Sequence, residues 1–136
     1  MSLDLSPFAR AVQRLREGWA RYQLDTTDTQ IRDGLVQRFE FTFELAHKML
    51  KRHLEASAAD PAEFDAADFQ YLIRSANEQG LLRSAWPQWR LYREMLSRTS
   101  HAYDESVALQ VVAGIPDFLA EAEHLLAALQ VRHPAP

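Results

Sequence analysis

Two short stretches of this chain carry side chains able to do chemistry, and they differ in kind. The first is Arg98-Thr99-Ser100-His101-Ala102-Tyr103-Asp104-Glu105. An imidazole with an ordinary pKa of about 6.5 exchanges protons at neutral pH, and a phenol, two hydroxyls and two carboxylates lie within a few residues of it. Such a set can move a proton and offer a hydroxyl to a group-transfer partner. It can equally be structural, with Ser100 or Asp104 capping a helix, His101 satisfying a buried partner and the Tyr103 ring packed with its hydroxyl at the surface. Ser100, His101 and Asp104 are not a nucleophilic triad, because side chains so close along a chain rarely reach the required mutual geometry.

The second stretch is Gln37-Arg38-Phe39-Glu40-Phe41-Thr42-Phe43-Glu44-Leu45-Ala46-His47-Lys48. Glu40 and Glu44 are one helical turn apart and Lys48 lies a turn further on, the favourable spacing for carboxylate–lysine pairing. Carboxylates beside His47 invite a metal, but a di-metal site in a helical bundle draws a Glu-x-x-His element from each of two helices. Glu44 and His47 supply that spacing once, so no metal site is expected. Gly18, Gly34, Gly80 and Gly114 are isolated, which removes a phosphate-cradling loop, and no Gly-Ser strand with spaced aspartates marks a nucleotidyl-transfer centre. Catalytic parts, if the function needs them, must come from another protein.

The elements that position these stretches read as helices. Phe8, Val12, Leu15, Trp19 and Tyr22 recur at spacings of four and three and form one apolar face. Asp25-Thr26-Thr27-Asp28 supplies turn and cap oxygens, and the next helix is predicted from Thr29 to Glu55. Its seam is Leu35, Phe39, Phe43, Ala46 and Leu50, flanked by a polar stripe of Asp33, Gln37, Glu40, Glu44, His47 and Lys51. Residues 56–68, with Pro61 and several carboxylates, read as a loop with room for one short turn. Phe69 to Gln79 is predicted helical, with Gly80 ending it in the left-handed conformation. Ser84 and Pro87 signal a fourth helix that carries Trp89, Tyr92 and Leu96 and stops near Arg98. Ser100 or Asp104 caps the last helix, whose stripe is Val107, Val111, Ile115, Phe118, Ala122, Leu125 and Leu129. Pro116 predicts a kink or a break in it. With no alternating strand pattern and short connections, the expectation is all-α: an antiparallel up-down four-helix bundle with an additional shorter helix. One domain over residues 1–132 and a disordered tail over 133–136 complete the layout.

Composition limits the function classes. Hydrophobic residues are 47% and charged residues 25% of 136, the balance of a folded protein. The absence of cysteine removes disulfides and thiolate metal sites. No run approaches the ~18 apolar residues of a membrane span and none looks like a secretion signal, so a cytoplasmic protein is expected. A net charge of -4 gives no general attraction for polyanions, so nucleic-acid binding would need a local basic patch. Arg10, Arg14 and Arg21 fall near one face of the first helix, although such a stripe is usually a solvated surface.

The run Gln37 to Ala46 followed by Lys48, then Trp89, and Thr99-Ser100-His101 with Tyr103-Asp104, strongly resemble the nucleotidyltransferase substrate-binding family. Order and spacing match over roughly residues 5 to 130. This family lies within the HEPN-like helical bundles and is usually encoded beside a minimal nucleotidyltransferase of the DNA polymerase beta type. The resemblance implies a homodimer that binds that partner and shapes its substrate site, using Gln37, Glu40, Glu44, Lys48, Ser100, His101, Tyr103 and Asp104. It implies no cofactor of its own, with ATP or another nucleotide and Mg held in the partner complex.

Some relatives form toxin–antitoxin pairs, in which the HEPN protein is a ribonuclease and the nucleotidyltransferase silences it by adenylylating a tyrosine. Their motif is Arg, a polar residue, about three spacers, His, one spacer and Tyr. Here His101 and Tyr103 are kept, with Tyr103 as the modification site and His101 as catalytic residue if the chain cuts RNA. The arginine position, five before the histidine, is Leu96, and the next is Ser97. Arg93 and Arg98 are the nearest cations in sequence, and position 47, commonly tryptophan in the family, is His47. A non-catalytic partner subunit is therefore the leading expectation, and a degenerate ribonuclease toxin, with RNA as its substrate, the alternative.

Overall fold

The computed structural model describes residues 3–65 and 68–135, and every regular element among them is a helix. Helix α1, Ser6–Leu24, takes Pro7 into its first turn, where a missing N–H is harmless, and buries Phe8, Val12, Leu15 and Tyr22. The Asp28 carboxylate accepts from the Gln30 and Ile31 amides at 3.0 and 3.1 Å and opens α2, Thr29–Ser57. This helix runs slightly past its predicted end at Glu55. Its seam of Leu35, Phe39, Phe43, Ala46 and Leu50 is buried as predicted.

Within the predicted loop a 3-10 turn spans Pro61–Phe64, opened by Asp60; positions 66 and 67 of that loop lie outside the described residues. Helix α3, Phe69–Glu78, is closed by Gly80 at φ 72°, with the Leu81 amide donating back to the Ala76 carbonyl at 3.1 Å. That reversal needs a residue without a Cβ penalty, which is why glycine stands there. Helix α4, Trp86–Arg98, has Pro87 in its first turn, but Ala85 rather than Ser84 occupies the cap position and makes no side-chain bond. A 3-10 turn, Thr99–His101, leads to α5, Glu105–Arg132, which Asp104 rather than Ser100 caps by accepting from the Val107 amide at 3.2 Å.

Helix α5 passes through Pro116 without a break. An interior proline costs roughly 3 kcal/mol by removing a bond and crowding the preceding turn. Here its ring is on the exposed face, while Ile115 and Phe118 on either side are wholly buried. Each such burial contributes about 1.5–3 kcal/mol, so packing holds the helix that local preference would interrupt.

Helix α2 lies at the centre and touches each of the other four. Phe118 of α5 meets Phe39 at 4.9 Å and Tyr92 at 5.2 Å between ring centroids, and Trp89 meets Tyr92 at 5.2 Å. Between α4 and α5 a polar cluster is built around Asp117. The Tyr92 hydroxyl donates to its carboxylate, the Gln88 amide donates to the same oxygen at 2.8 Å, and the Arg83 guanidinium reaches the other at 3.3 Å. The Arg83 backbone amide donates to the fully buried Glu121 at 2.8 Å. Burial first, and then its bond to Asp117, pushes the Tyr92 phenol well above its ordinary range.

At the other end of α5 the described ends of the chain meet. The Leu3 amide donates to His133 Nδ1 at 3.2 Å, His133 Nε2 faces His53 Nδ1 at 2.7 Å, and His53 Nε2 faces Gln79 Oε1 at 3.0 Å. With both rings neutral, one direction of donation satisfies every partner: Leu3 to His133 to His53 to Gln79. His133, placed by sequence at the start of the tail, is thus tied into the fold; Pro136 lies outside the described residues. None of the helices is long and apolar enough to cross a membrane, among the described residues.

Candidate functional site

The α4–α5 junction is a hydrogen-bonded turn that leaves the side chains of His101 and Tyr103 exposed. The Thr99 hydroxyl donates to the Leu96 carbonyl at 2.7 Å, the Asp104 amide donates to the His101 carbonyl at 3.0 Å, and the Asp104 carboxylate caps α5. Ser100 turns its hydroxyl back onto the Ser97 carbonyl at 3.4 Å. No triad forms, and Ser100 and Asp104 are engaged in local structure. His101 and Tyr103 are not. His101 is exposed, so it is no buried histidine satisfied by a core partner, and Tyr103 is 84% exposed with its ring 6.0 Å from the imidazole. Among the described residues neither side chain makes a hydrogen bond.

The α2 stripe is a second surface. Gln37, Glu44 and Lys48 are exposed and Glu40 and His47 half-buried. Burial, and after it the charge of Glu44, raises the Glu40 carboxyl above the usual range. His47 sits edge-on to the Phe69 ring at 4.9 Å, and Arg93 covers the same ring at 5.1 Å. Burial, then Arg93 and Lys51, lower the His47 pKa and favour the neutral ring. Glu44 and Lys48 form no ion pair among the described residues; an i,i+4 pair forms on α4 instead, Arg90–Glu94 at 3.7 Å. Nor does any group of three or more potential ligands gather to hold a metal, among those residues.

The 3-10 turn Thr99–His101 rests against α2, so the helix that carries the stripe also supports the junction. No hydrogen bond or ion pair joins the two sets of predicted residues, among those described. The link between the helices is one that the sequence reading did not name. Arg32 of α2 is buried to 7% exposure and approaches Glu105, the first residue of α5, at 3.5 Å, with Asp33 at 3.9 Å. Its Nε, the atom nearest Asp33, makes no hydrogen bond. The signal was present: position 32 stands three and seven residues before Leu35 and Phe39, on the buried seam, where an arginine is out of place. Arg93 and Arg98 are therefore not the only cations near the junction. Arg93 lies over Phe69, and Arg98 donates to Gln110 at 2.7 Å. Leu96, at the position where the ribonuclease motif has arginine, packs inward against the core.

Comparison with known proteins places this arrangement. A family model described as "Nucleotidyltransferase substrate binding protein like" matches residues 3–131. A Haemophilus influenzae protein named "Probable ribonuclease HepT" is 36% identical over 122 residues, covering 90% of this chain and 83% of its own length. A solved Haemophilus influenzae structure, described as revealing the fold of a substrate-binding domain of a nucleotidyltransferase, superposes with a TM-score of 0.88 at 32% identity, covering 93% of this chain and 99% of that one. A crystal structure of a Thermus thermophilus protein matches with a TM-score of 0.70 at 30% identity, covering 90% and 98% of the two chains.

Proposed function

The chain belongs to the nucleotidyltransferase substrate-binding-like family, and from that membership we propose that it is the substrate-binding and regulatory subunit of a separate minimal nucleotidyltransferase. The observation that carries the reading is the presentation of Tyr103 and His101. Both project unbonded from a turn whose other polar groups are engaged, which suits a surface offered to a partner. The partner would hold Mg and ATP or another nucleotide, and this subunit would bring acceptor and surface. Tyr103 is the acceptor if the subunit is itself modified, its phenol oxygen forming the bond to the α-phosphorus as pyrophosphate leaves.

The stripe of Gln37, Glu40, Glu44 and Lys48 supplies a polar surface on the helix that supports the junction. We take the working form to be a homodimer; the exposed Leu91 and Leu109, beside a groove containing Met95 and Val111, support that reading. Incubation with the cognate nucleotidyltransferase, ATP and magnesium tests the proposal. One adenylate should be added, and Tyr103→Phe should abolish it. A mass shift that persists in that variant removes Tyr103 from the role, and absence of any complex between the two proteins removes the function.

A second reading, a ribonuclease, is favoured by the name of the Haemophilus relative. Against it stands Leu96, because the transition state of phosphodiester cleavage gains negative charge and losing one positioned donor costs on the order of a hundredfold or more in rate. Purified chain should cut total RNA poorly or not at all. Robust cleavage that disappears in His101→Ala would reverse the order of the two readings.

A further inference from the structure

We propose that the groove between α1 and α2, walled by Arg21 and Arg38, binds a phosphate ester. It is a surface separate from the α4–α5 junction and does not depend on the function proposed above.

The argument begins with two glycines inside helices. Glycine weakens a helix relative to alanine because it gives up more backbone freedom on folding, so its presence calls for a reason. Gly18 of α1 has one: a Cβ there would come within 2.9 Å of Arg38 Cδ. Gly34 of α2 has none in the packing, since a Cβ would meet nothing within 4 Å and the backbone is ordinary helix. What Gly34 leaves is space. The recess holds about 230 Å³, with Ile31 in its lining, Gln30 offering an amide and the two arginines on its walls.

Some arginines of this chain find carboxylates: Arg16 with Glu123 at 3.0 Å, Arg83 with Asp117 at 3.3 Å, Arg90 with Glu94 at 3.7 Å. Arg10, Arg14, Arg21 and Arg38 have no such partner within 4 Å, among the described residues. Arg38 is pre-positioned by donating one N–H to the Arg14 carbonyl at 2.7 Å, which leaves the rest of its fork available. Asp25, whose carboxylate accepts from the Thr27 hydroxyl at 2.7 Å, feels the charge of Arg21 without forming an ion pair with it, and Glu17 accepts from Gln13 at 3.4 Å. Two arginines lining one small recess can offer planar guanidinium forks to the tetrahedrally arranged oxygens of a phosphate, and the apolar side chains of Ile31 and Leu35 suit an attached sugar or base. A solvated arginine stripe on a single helix would need neither the second helix's arginine nor the empty glycine.

The shared chemistry is a phosphate ester, from a free nucleotide or from a single RNA strand. Fluorescence anisotropy with a labelled ten-nucleotide RNA and calorimetry with ATP, both in low salt, distinguish the sources. Three variants are compared with the native chain: Gly34→Leu fills the recess, Arg21→Gln removes one wall, and Arg74→Gln removes an exposed arginine outside the recess. Gly34→Leu should raise the melting temperature, as expected for replacing a helical glycine, yet weaken binding at least tenfold. Arg21→Gln should weaken binding and reduce the slope of log K against log salt for RNA by about 0.7, one strand phosphate contact. Arg74→Gln should bind as the native chain does. RNA binding with these responses identifies a strand as the source, and ATP binding with the two affinity losses identifies a nucleotide. Failure of both probes to bind, or binding indifferent to Gly34→Leu and Arg21→Gln, overturns the proposal.

Discussion

Helices α4 and α5 meet at two places, and the two treat polar groups in opposite ways. Along their packed lengths, Tyr92, Gln88, Arg83 and Asp117 bond to one another, and the buried Glu121 takes an amide from the segment before α4. At the turn that joins them, the side chains of His101 and Tyr103 bond to nothing among the described residues. The first place has satisfied its groups internally and holds the helices together. The second leaves them to solvent, as the proposed partner surface requires.

The contrast can be broken most severely under the inner cluster. Phe118→Ala should cost about 3–5 kcal/mol, because its ring fills the space among Phe39, Trp89 and Tyr92 and little can collapse into the gap. Urea unfolding measures it, and a cost below about 1 kcal/mol would mean that the aromatic cluster does not hold α5. Asp117→Ala should cost less, about 1–3 kcal/mol, by leaving the Tyr92 hydroxyl without its acceptor. Adding Tyr92→Phe should then cost less than it does in the native background; simple additivity would show that the two groups do not act together.

Smaller again is an effect of acidity at the far end of α5. Burial, then His53 and Arg132, hold the His133 pKa below its ordinary value. The unfolded chain therefore binds more protons, and stability rises with pH. The contribution is present in full above an unfolded pKa of about 6.5 and is lost as pH falls through the lower folded value. Protonation also places a hydrogen where the Leu3 amide already donates. Unfolding midpoints at about pH 7.5 and about pH 5.5, one unit either side of that value, should separate in the native chain and separate less in His133→Asn, where the lowered pKa of His47 remains. Equal separation in both would remove His133 as the cause. The smallest effect belongs to the junction. His101→Ala and Tyr103→Phe should each stay within about 0.5 kcal/mol of the native stability. A loss above about 1 kcal/mol would make the junction structural and erase the contrast.

What the sequence makes legible follows the same division. Seams such as Leu35, Phe39 and Phe43, or Val111, Ile115 and Phe118, repeat every three or four residues and need no knowledge of their partners. The exposed turn is also readable, since His101 and Tyr103 are close in sequence and bounded by cap residues. The inner polar cluster is not, because Arg83 and Tyr92 meet Asp117 across 34 and 25 residues. Arg32 was hidden by its charge, which outweighed its place on the apolar seam. That Pro116 does not break α5 has a related reason: the burial that overrides its helix-breaking preference comes from other helices.

The contact between Leu3 and His133 has a practical consequence. Both ends of the described chain leave the bundle together at the C-terminal end of α5, whereas His101 and Tyr103 precede its first turn. A helix of 28 residues is roughly 42 Å long at about 1.5 Å per residue. A reporter protein or affinity handle joined at either end of the described residues thus starts about a bundle length from the exposed tyrosine, which suits labelled forms for partner and adenylylation assays.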